Sequence, residues 1–283
     1  MSEPEASEHK KISVGFIGLG SQGGPMARRI IEAGFPVTLW ARRPASLSPF
    51  SDTPAKVVSS PAELAAVSDL VCLCVVGDAD VEEVLTRPDG VLAGLGSGGV
   101  VAVHSTVHPD TCRRLAVSVS AQGGTLVDAP VSGGGPAAAA GRLLVMAGGD
   151  PGVVEYCRPV FAAYGDPVVH LGPVGSGQVT KLLNNLLFTA HLATASSVLE
   201  LGRSLNVDAG RLAEVIGHGS GASFALARIA DAGGTPDRIG SYAGPLLQKD
   251  VRLVTELASA AGAAPGAVLA AADAALDLMG HSR

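Results

Sequence analysis

The feature that most constrains the fold is a glycine pattern between an apolar, β-rich run over residues 12–17 and a helix predicted over residues 25–33. The pattern consists of Gly18, Leu19, Gly20, Ser21, Gln22 and Gly23. Its first glycine permits a tight turn, its second lets the backbone approach a pyrophosphate, and its third lets helix and strand pack closely. The free N–H groups of the following helix favour phosphates. The pattern predicts a dinucleotide-binding βα unit, and a purely structural βα turn is the alternative.

Strand and helix patterns alternate through the first half of the chain. Further strands are predicted over residues 37–40, 70–76, 100–104, 126–128 and 143–147, with helices that include residues 61–67 and 80–85. This rhythm is typical of an α/β fold with a doubly wound, Rossmann-type parallel sheet.

The pattern changes after Gly177. Residues 178–205 contain no proline and a single glycine, which predicts one helix about 40 Å long. No strand pattern follows it. We therefore expect a disordered tail over residues 1–11, a dinucleotide-binding Rossmann domain over 12–174, and an all-helical domain over 175–283 that serves substrate binding and oligomerisation.

Composition argues against several classes of partner. The net charge is -6 and no segment is densely basic, which disfavours nucleic acid. No run reaches the ~18 apolar residues of a membrane helix. Four cysteines form no disulfide framework, so the cytoplasm is the expected compartment. His104 and His108 lack a third ligand, and no metal is predicted.

Two arginines follow the second predicted strand. Arg42 and Arg43 stand where an NAD enzyme usually carries an acidic residue for the ribose 2′-hydroxyl. Guanidinium groups suit a 2′-phosphate instead. The pattern favours NADP, with NAD as a second option and solvated surface charges as the alternative interpretation.

Several blocks along the chain resemble one family, the β-hydroxyacid dehydrogenases, which include 3-hydroxyisobutyrate dehydrogenase and glyoxylate/succinic semialdehyde reductase. The blocks are Gly15–Gly20 with Gly24–Ala27, Ser105–Val107 with Pro109, Asp128–Gly134, Gly175–Gly177 with Lys181 and Asn184–Asn185, and Lys249–Asp250. The resemblance implies an NADP-dependent oxidoreductase that interconverts a small β-hydroxy acid and its carbonyl partner. It also implies a homodimer or tetramer, which the apolar helical region independently favours.

The resemblance assigns roles residue by residue. It implies that Lys181 and Asn185 are catalytic, and that Ser132, Gly133, Gly134 and Lys249 bind a substrate carboxylate. Further cofactor contacts are implied for Val75, Ser105, Thr106 and Asp250.

Acid–base chemistry supports the role of the lysine. Hydride transfer needs a group that exchanges a proton with the substrate oxygen. A lysine can do so when partial burial brings its pKa toward neutrality. Lys181 lies early in a long apolar helix, and Asn185 lies four residues on, on the same face. A snorkelling surface lysine is the alternative.

Some residues depart from the family pattern. Gln22 stands where the family usually has Met, and His104 where an acidic or amide residue is common. Phe224, in the region that shapes the substrate pocket, is expected to belong to the core. Two other functions stay open: an NADPH-dependent imine reductase, which usually lacks the lysine, and a non-enzymatic NADP-binding scaffold or sensor.

Overall fold

The computed structural model describes residues 11–283, so the predicted tail lies outside the described residues except for Lys11. The chain divides into two compact units, one up to Lys181 and the other over Leu182–Arg283. The predicted domain border at 174/175 lies at the start of the long helix, whereas the units separate inside that helix.

A parallel sheet of six strands forms the centre of the first unit, in the order β3-β2-β1-β4-β5-β6. Its strands are β1 (Val14–Ile17), β2 (Val37–Trp40), β3 (Lys56–Val57), β4 (Leu70–Leu73), β5 (Val100–Val103) and β6 (Thr125–Asp128). This is the strand order of a Rossmann fold. Strands β2 and β3 lie on one side of β1, and strands β4, β5 and β6 lie on the other side. The predicted doubly wound sheet is confirmed.

Helices cover both faces of this sheet. They are α1 (Gly23–Glu32), α2 (Pro61–Ala66), α3 (Asp78–Thr86), α4 (Val91–Gly94), α5 (Pro109–Ala121), α6 (Gly134–Ala139) and α7 (Pro151–Phe161), and a 3₁₀ helix spans Pro44–Phe50. Four of the strands, β1, β2, β4 and β5, are buried along their whole length, because hydrophobic clusters pack against both faces.

The predicted strand over residues 143–147 exists but does not belong to the parallel sheet. As β8 (Leu143–Ala147) it lies between β7 (Val131–Ser132), to which it is antiparallel, and β9 (Gly165–His170), to which it is parallel. An isolated antiparallel bridge between Asp128 and Gly148 joins the two sheets.

The second unit is helical, as predicted. The long helix α8 (Ser176–Ser204) continues into it, followed by α9 (Ala209–His218), α10 (Phe224–Asp231), α11 (Asp237–Ala260) and α12 (Gly266–Leu278). By length and composition α8 could span a membrane, yet half of its most apolar stretch is buried inside the protein. Core helices of proteins without any membrane contact have the same character.

Candidate active site

The glycine turn after β1 has the shape that a dinucleotide needs. Gly18 has φ +97°, and a Cβ atom there would lie 2.2 Å from the carbonyl oxygen of Cys74. A Cβ atom on Gly23 would lie 2.0 Å from the carbonyl oxygen of Gly18, whereas one on Gly20 would meet nothing within 4 Å. Two glycines are therefore required by close packing, and the middle one leaves open backbone where a pyrophosphate could approach. Gln22 precedes α1 and makes no side-chain capping bond.

The ends of β4 and β5 are joined beside this turn. The Val75 N–H donates to the Ser105 hydroxyl at 2.9 Å. Gln178, from the first turn of α8, donates from Nε2 to the Ser105 carbonyl at 2.8 Å and accepts the Val107 N–H at 3.0 Å. Thr106 is thus held between two anchored residues. Three predicted cofactor contacts, Val75, Ser105 and Thr106, lie together at the carboxyl edge of the sheet.

Asp128, at the end of β6, holds the start of α8. Its carboxylate accepts the Gly175 N–H at 2.7 Å and the Gln178 N–H at 2.8 Å. Burial raises the pKa of Asp128, and these backbone bonds oppose the rise. Lys181 follows Gln178 by about one helical turn and is only 8% exposed. The fold therefore presents a buried lysine at a helix start that four atoms of the sheet edge and its loops hold by hydrogen bonds.

Asp128 and Gln178 are positioning residues that the sequence reasoning did not single out. In the sequence, Asp128 is the first residue of a block that resembles the family, and Gln178 is the first residue of a predicted helix. An acidic residue at a strand end, followed much later by a Gly-rich helix start, was the available signal. It is weak because the two segments are far apart in the chain.

His104 is a structural residue of the first unit. Its Nδ1 lies 2.7 Å from the Ala129 carbonyl oxygen, and its Nε2 lies 3.2 Å from the Tyr164 hydroxyl. The ring stacks on Phe16 and meets Phe161 edge-on. Burial lowers the pKa of His104 to about 4, so the ring is neutral, with Nδ1–H donating and Nε2 accepting. At this departure from the family pattern, the side chain therefore packs and forms hydrogen bonds inside the first unit.

No metal-binding cluster of three His, Cys, Asp or Glu side chains occurs within residues 11–283. His108 instead caps α5, where its Nδ1 accepts the Asp110 N–H at 3.1 Å.

The predicted carboxylate-binding loop follows β7. Ser132 is half-buried, and Gly133 and Gly134 have φ values of +131° and +75°, which favour glycine. The next residue, Gly135, lies against the glycine turn: a Cβ atom there would be 2.6 Å from the carbonyl oxygen of Ser21. The structure therefore brings the predicted substrate loop and the predicted cofactor loop into contact.

Arg42 follows β2, as expected for a residue near an adenosine ribose. Its guanidinium Nη2 lies 2.9 Å from Asp80 Oδ1 and 2.9 Å from Glu83 Oε2, both on α3. The side chain remains 57% exposed. Arg43 is exposed and forms no ion pair with any residue that the structure describes.

The second unit brings together three predicted site residues, Asn185, Lys249 and Asp250, the last of which supplies a buried carboxylate. Asn185 Nδ2 donates to Asp250 Oδ2 at 2.6 Å, and Lys249 Nζ lies 3.0 Å from Asp250 Oδ1. Asn184 Nδ2 donates to Asn185 Oδ1 at 3.2 Å. Asp250 therefore orients both the amide of Asn185 and the ammonium group of Lys249.

Phe224 is not a core residue, contrary to the expectation from sequence. It is 64% exposed, and its ring lies beside that of Phe188, with ring centroids 5.9 Å apart. It is the first residue of α10, where Ser223 caps the helix and the buried face is formed by Ala225, Leu226 and Ile229. The helix start leaves Phe224 outside that face.

Two family models together match most of the chain. Residues 13–172 match the family model of the NAD binding domain of 6-phosphogluconate dehydrogenase, and residues 175–281 match that of the NAD-binding domain of NADP-dependent 3-hydroxyisobutyrate dehydrogenase. The 2-(hydroxymethyl)glutarate dehydrogenase of Eubacterium barkeri is 33% identical over 87% of this chain and 82% of its own length. The NAD-dependent L-serine dehydrogenase of Pseudomonas aeruginosa is 32% identical over 87% and 85%.

Solved structures show the same fold. The 3-hydroxyisobutyrate dehydrogenase of Mycobacterium tuberculosis, solved with L-serine, has a TM-score of 0.83 at 26% identity and covers 95% of this chain and 94% of its own. Psf3 in complex with NADP+ and 2-OPP has a TM-score of 0.78 at 28% identity, covering 86% of each chain. An imine reductase from Pseudomonas sp. shares the fold at 20% identity, with a TM-score of 0.66 and coverage of 94% and 92%. The chain belongs to the β-hydroxyacid dehydrogenases and is an NAD(P)-dependent enzyme that oxidises or forms a hydroxy acid.

Proposed function

We propose that the protein is an NADP-dependent dehydrogenase that interconverts a small β-hydroxy acid and its semialdehyde or keto acid, with Lys181 as the acid–base group. The observation that carries this proposal is the buried amine of Lys181, one turn beyond a helix start that Asp128 and Gln178 tie to the predicted cofactor edge.

Each group has a role in this chemistry. The bound nicotinamide nucleotide supplies or accepts the hydride, and Gly18–Gly23, Val75, Ser105 and Thr106 would hold it. Lys181 donates a proton to the developing alkoxide during reduction and, when neutral, removes one from the alcohol during oxidation. Asn185 orients the substrate hydroxyl or the lysine, and its own amide is fixed by Asp250.

The names of the relatives define a substrate class. 2-(Hydroxymethyl)glutarate, 3-hydroxyisobutyrate and L-serine share the group HOCH₂–CH(R)–COO⁻ and differ only in R. We infer that the protein acts on a compound of this type. Ser132, Gly133 and Gly134 would receive the carboxylate through N–H groups and a hydroxyl, with Lys249 adding charge.

A preference for NADP over NAD is part of the proposal. Arg42 and Arg43 support it, because a charge-assisted contact to a 2′-phosphate contributes about 1.5 to 3 kcal/mol in a favourable site. We expect Arg42→Ala to weaken NADPH binding about tenfold and to leave NADH binding nearly unchanged. Equal binding of both cofactors by the wild type would contradict the preference.

The role of Lys181 is tested by substitution. Lys181→Ala should leave cofactor affinity nearly intact and lower kcat by about two to four decades, the usual contribution of a positioned acid–base group. Lys181→Arg should not restore activity, since a guanidinium keeps its proton near neutral pH. Oxidation by the wild type should accelerate as pH rises, because only the neutral amine accepts a proton.

The fold likeness to imine reductases gives one competing function. A panel of NADPH-dependent reductions separates the two: succinic, methylmalonic and tartronic semialdehydes and glyoxylate on one side, cyclic imines on the other. Retention of near-wild-type kcat by Lys181→Ala, or a best substrate that is an imine, would put the imine reductase first.

We also propose that the enzyme works in the cytoplasm, without nucleic acid or membrane partners. Support comes from its net charge of -6 and from its four cysteines, all of which are free thiols.

A further inference from the structure

The ion pairs of Arg42 bear on cofactor choice. One nitrogen of its guanidinium is shared by Asp80 and Glu83, three residues apart on the same side of α3. Glu83 also pairs with Arg87 at 3.2 Å, and the Arg87 guanidinium lies over the ring of Trp40, the last residue of β2, at 5.9 Å. The side chain of Arg42 is therefore directed toward α3 by two carboxylates that belong to a larger charged network.

A 2′-phosphate would compete with these carboxylates for the same cation. Arg42 faces two carboxylates, and one of them, Glu83, is shared with Arg87. A phosphate monoester brings roughly 1.5 to 2 further negative charges at neutral pH. Both carboxylates bond to Nη2, so they fix the direction of the guanidinium, and turning it away from α3 toward a phosphate weakens at least part of this bonding. A 2′-hydroxyl meets no such opposition.

We propose that Asp80 and Glu83 are specificity-determining residues that hold Arg42 on α3 and thereby limit the affinity for NADP relative to NAD. The proposal rests on the role of Arg42 proposed above. It adds that α3, and not only the end of β2, sets the cofactor ratio. When the protein adopts the side-chain arrangement that binds a ligand only part of the time, its apparent affinity for that ligand falls in proportion to the populated fraction.

The effect is expected to be modest and dependent on salt. Exposed ion pairs each contribute little, and all three side chains have solvent access. Removing both carboxylates should therefore raise NADP⁺ affinity by roughly two- to tenfold. The gain should shrink as ionic strength rises, because exposed charges are screened.

The experiment is calorimetric titration of the full chain with NADP⁺, NAD⁺ and 2′,5′-ADP, the last as a probe of the 2′-phosphate site. The variants are Asp80→Asn, Glu83→Gln and the two combined. Glu82→Gln is the matched control, because it removes the same charge from α3 but pairs with Arg114 instead of Arg42. The combined variant should bind NADP⁺ and 2′,5′-ADP more tightly and NAD⁺ within twofold of the wild type, while Glu82→Gln changes none of the three by more than twofold.

A second set of titrations uses the Arg42→Ala background. There the combined substitution should raise NADP⁺ affinity less than it does when Arg42 is present, since no arginine remains to be released. Thermal unfolding of each variant confirms that the fold is retained.

The two proposals fail in different ways. If the wild type prefers NADP⁺ and Arg42→Ala abolishes that preference, but the combined variant binds NADP⁺ no more tightly, the inference about α3 is wrong and the NADP preference stands. An equal gain for NAD⁺ and NADP⁺ would also overturn it. If Arg42→Ala changes neither cofactor, the role proposed for Arg42 is itself wrong.

Discussion

Ser132 and Lys249 are the two side chains expected to meet the substrate carboxylate. A neutral hydroxyl bond contributes about 0.5 to 1.5 kcal/mol and a charge-assisted one about 1.5 to 3. We expect Ser132→Ala to raise KM about two- to tenfold and Lys249→Ala about tenfold or more, with smaller changes in kcat. Steady-state kinetics on the best substrate measure both.

Lys249→Arg is the control for this prediction. It keeps a positive charge beside Asp250, so it should lose much less than Lys249→Ala. If neither alanine variant changes KM, or if the best substrate carries no acidic group, the carboxylate binds elsewhere.

The lowered pKa of His104 is expected to make the free energy of unfolding depend on pH. Its pKa is lowered to about 4 in the folded protein, against about 6.5 in an unfolded chain. Between these values the unfolded chain binds the proton and the folded one does not, so acidification favours unfolding. From pH 7 down to pH 4 this residue alone should remove up to about 3 kcal/mol of the free energy of unfolding.

The comparison variant is His104→Gln, which keeps an N–H donor for the Ala129 carbonyl and does not titrate. Urea unfolding at a series of pH values should show a steeper loss for the wild type than for this variant. If stability fell equally with pH in the wild type and in His104→Gln, protonation of His104 would not destabilise the fold.

At the scale of elements, Asp128 connects a strand of the sheet to the start of α8. Asp128→Asn replaces one acceptor oxygen by an amide that cannot accept the Gly175 or Gln178 N–H. We expect a loss of about 1 to 3 kcal/mol of stability from one weakened charge-assisted bond. Because Lys181 follows in the same helix, kcat should also fall, by about one decade or more, with NADPH affinity nearly unchanged.

Denaturant unfolding, kcat and cofactor titration separate the two effects. Asp150→Ala is a suitable control, since it removes the Oδ1 atom that accepts two N–H groups at the start of α7. It should lower stability by a similar amount and leave kcat unchanged. An equal loss of kcat in both variants would show that Asp128 acts only through general stability.

The elements also show where sequence patterns suffice. The limits of β2 and β8 were predicted correctly, because apolar runs there end at clear breaks. The strand predicted over residues 70–76 ends at Leu73. The prediction was too long because Val75 and Val76 continue the apolar pattern, although the chain has already turned toward α3 there. The strand β9 was not predicted, because Pro167 lies inside it and proline argues against a strand.

The sequence predicted those parts of the candidate site that lie within a single local motif. The glycine turn, Lys181 and the Ser132 loop each belong to a continuous segment, so their motifs are visible in the sequence, and their roles stay predictions. The contacts that position them join residues far apart in the chain, as Asp128 with Gln178, His104 with Tyr164, and Arg42 with Asp80 do. Such partners depend on tertiary packing and leave no periodic signal in a single sequence.

At the scale of the molecule, the second unit exposes large apolar side chains along one face of α8. Leu183 and Leu187 form one group, and Val198 and Leu201 form a second group on the same face, with Leu205 directly after the helix end. Exposed apolar surface of this kind marks protein–protein contacts. We therefore expect at least a homodimer.

Light scattering coupled to gel filtration should give at least twice the chain mass of 28.2 kDa at micromolar concentration. Leu187→Glu combined with Leu201→Glu should shift the protein toward the monomer, since charge would have to be buried in the interface. Val117→Glu, at an exposed apolar position on α5, is the control and should leave the mass unchanged. A wild-type mass of one chain would contradict the prediction.

The contact between Gly135 and Ser21 has a consequence for engineering. Because a side chain at residue 135 would meet the carbonyl oxygen of Ser21, a substrate loop grafted from a relative must keep glycine at this position. A chimera whose loop carries a larger residue there should lose cofactor affinity, because the backbone of Ser21 would have to move. Changing substrate scope by loop grafting therefore requires a donor loop with glycine at the position of Gly135.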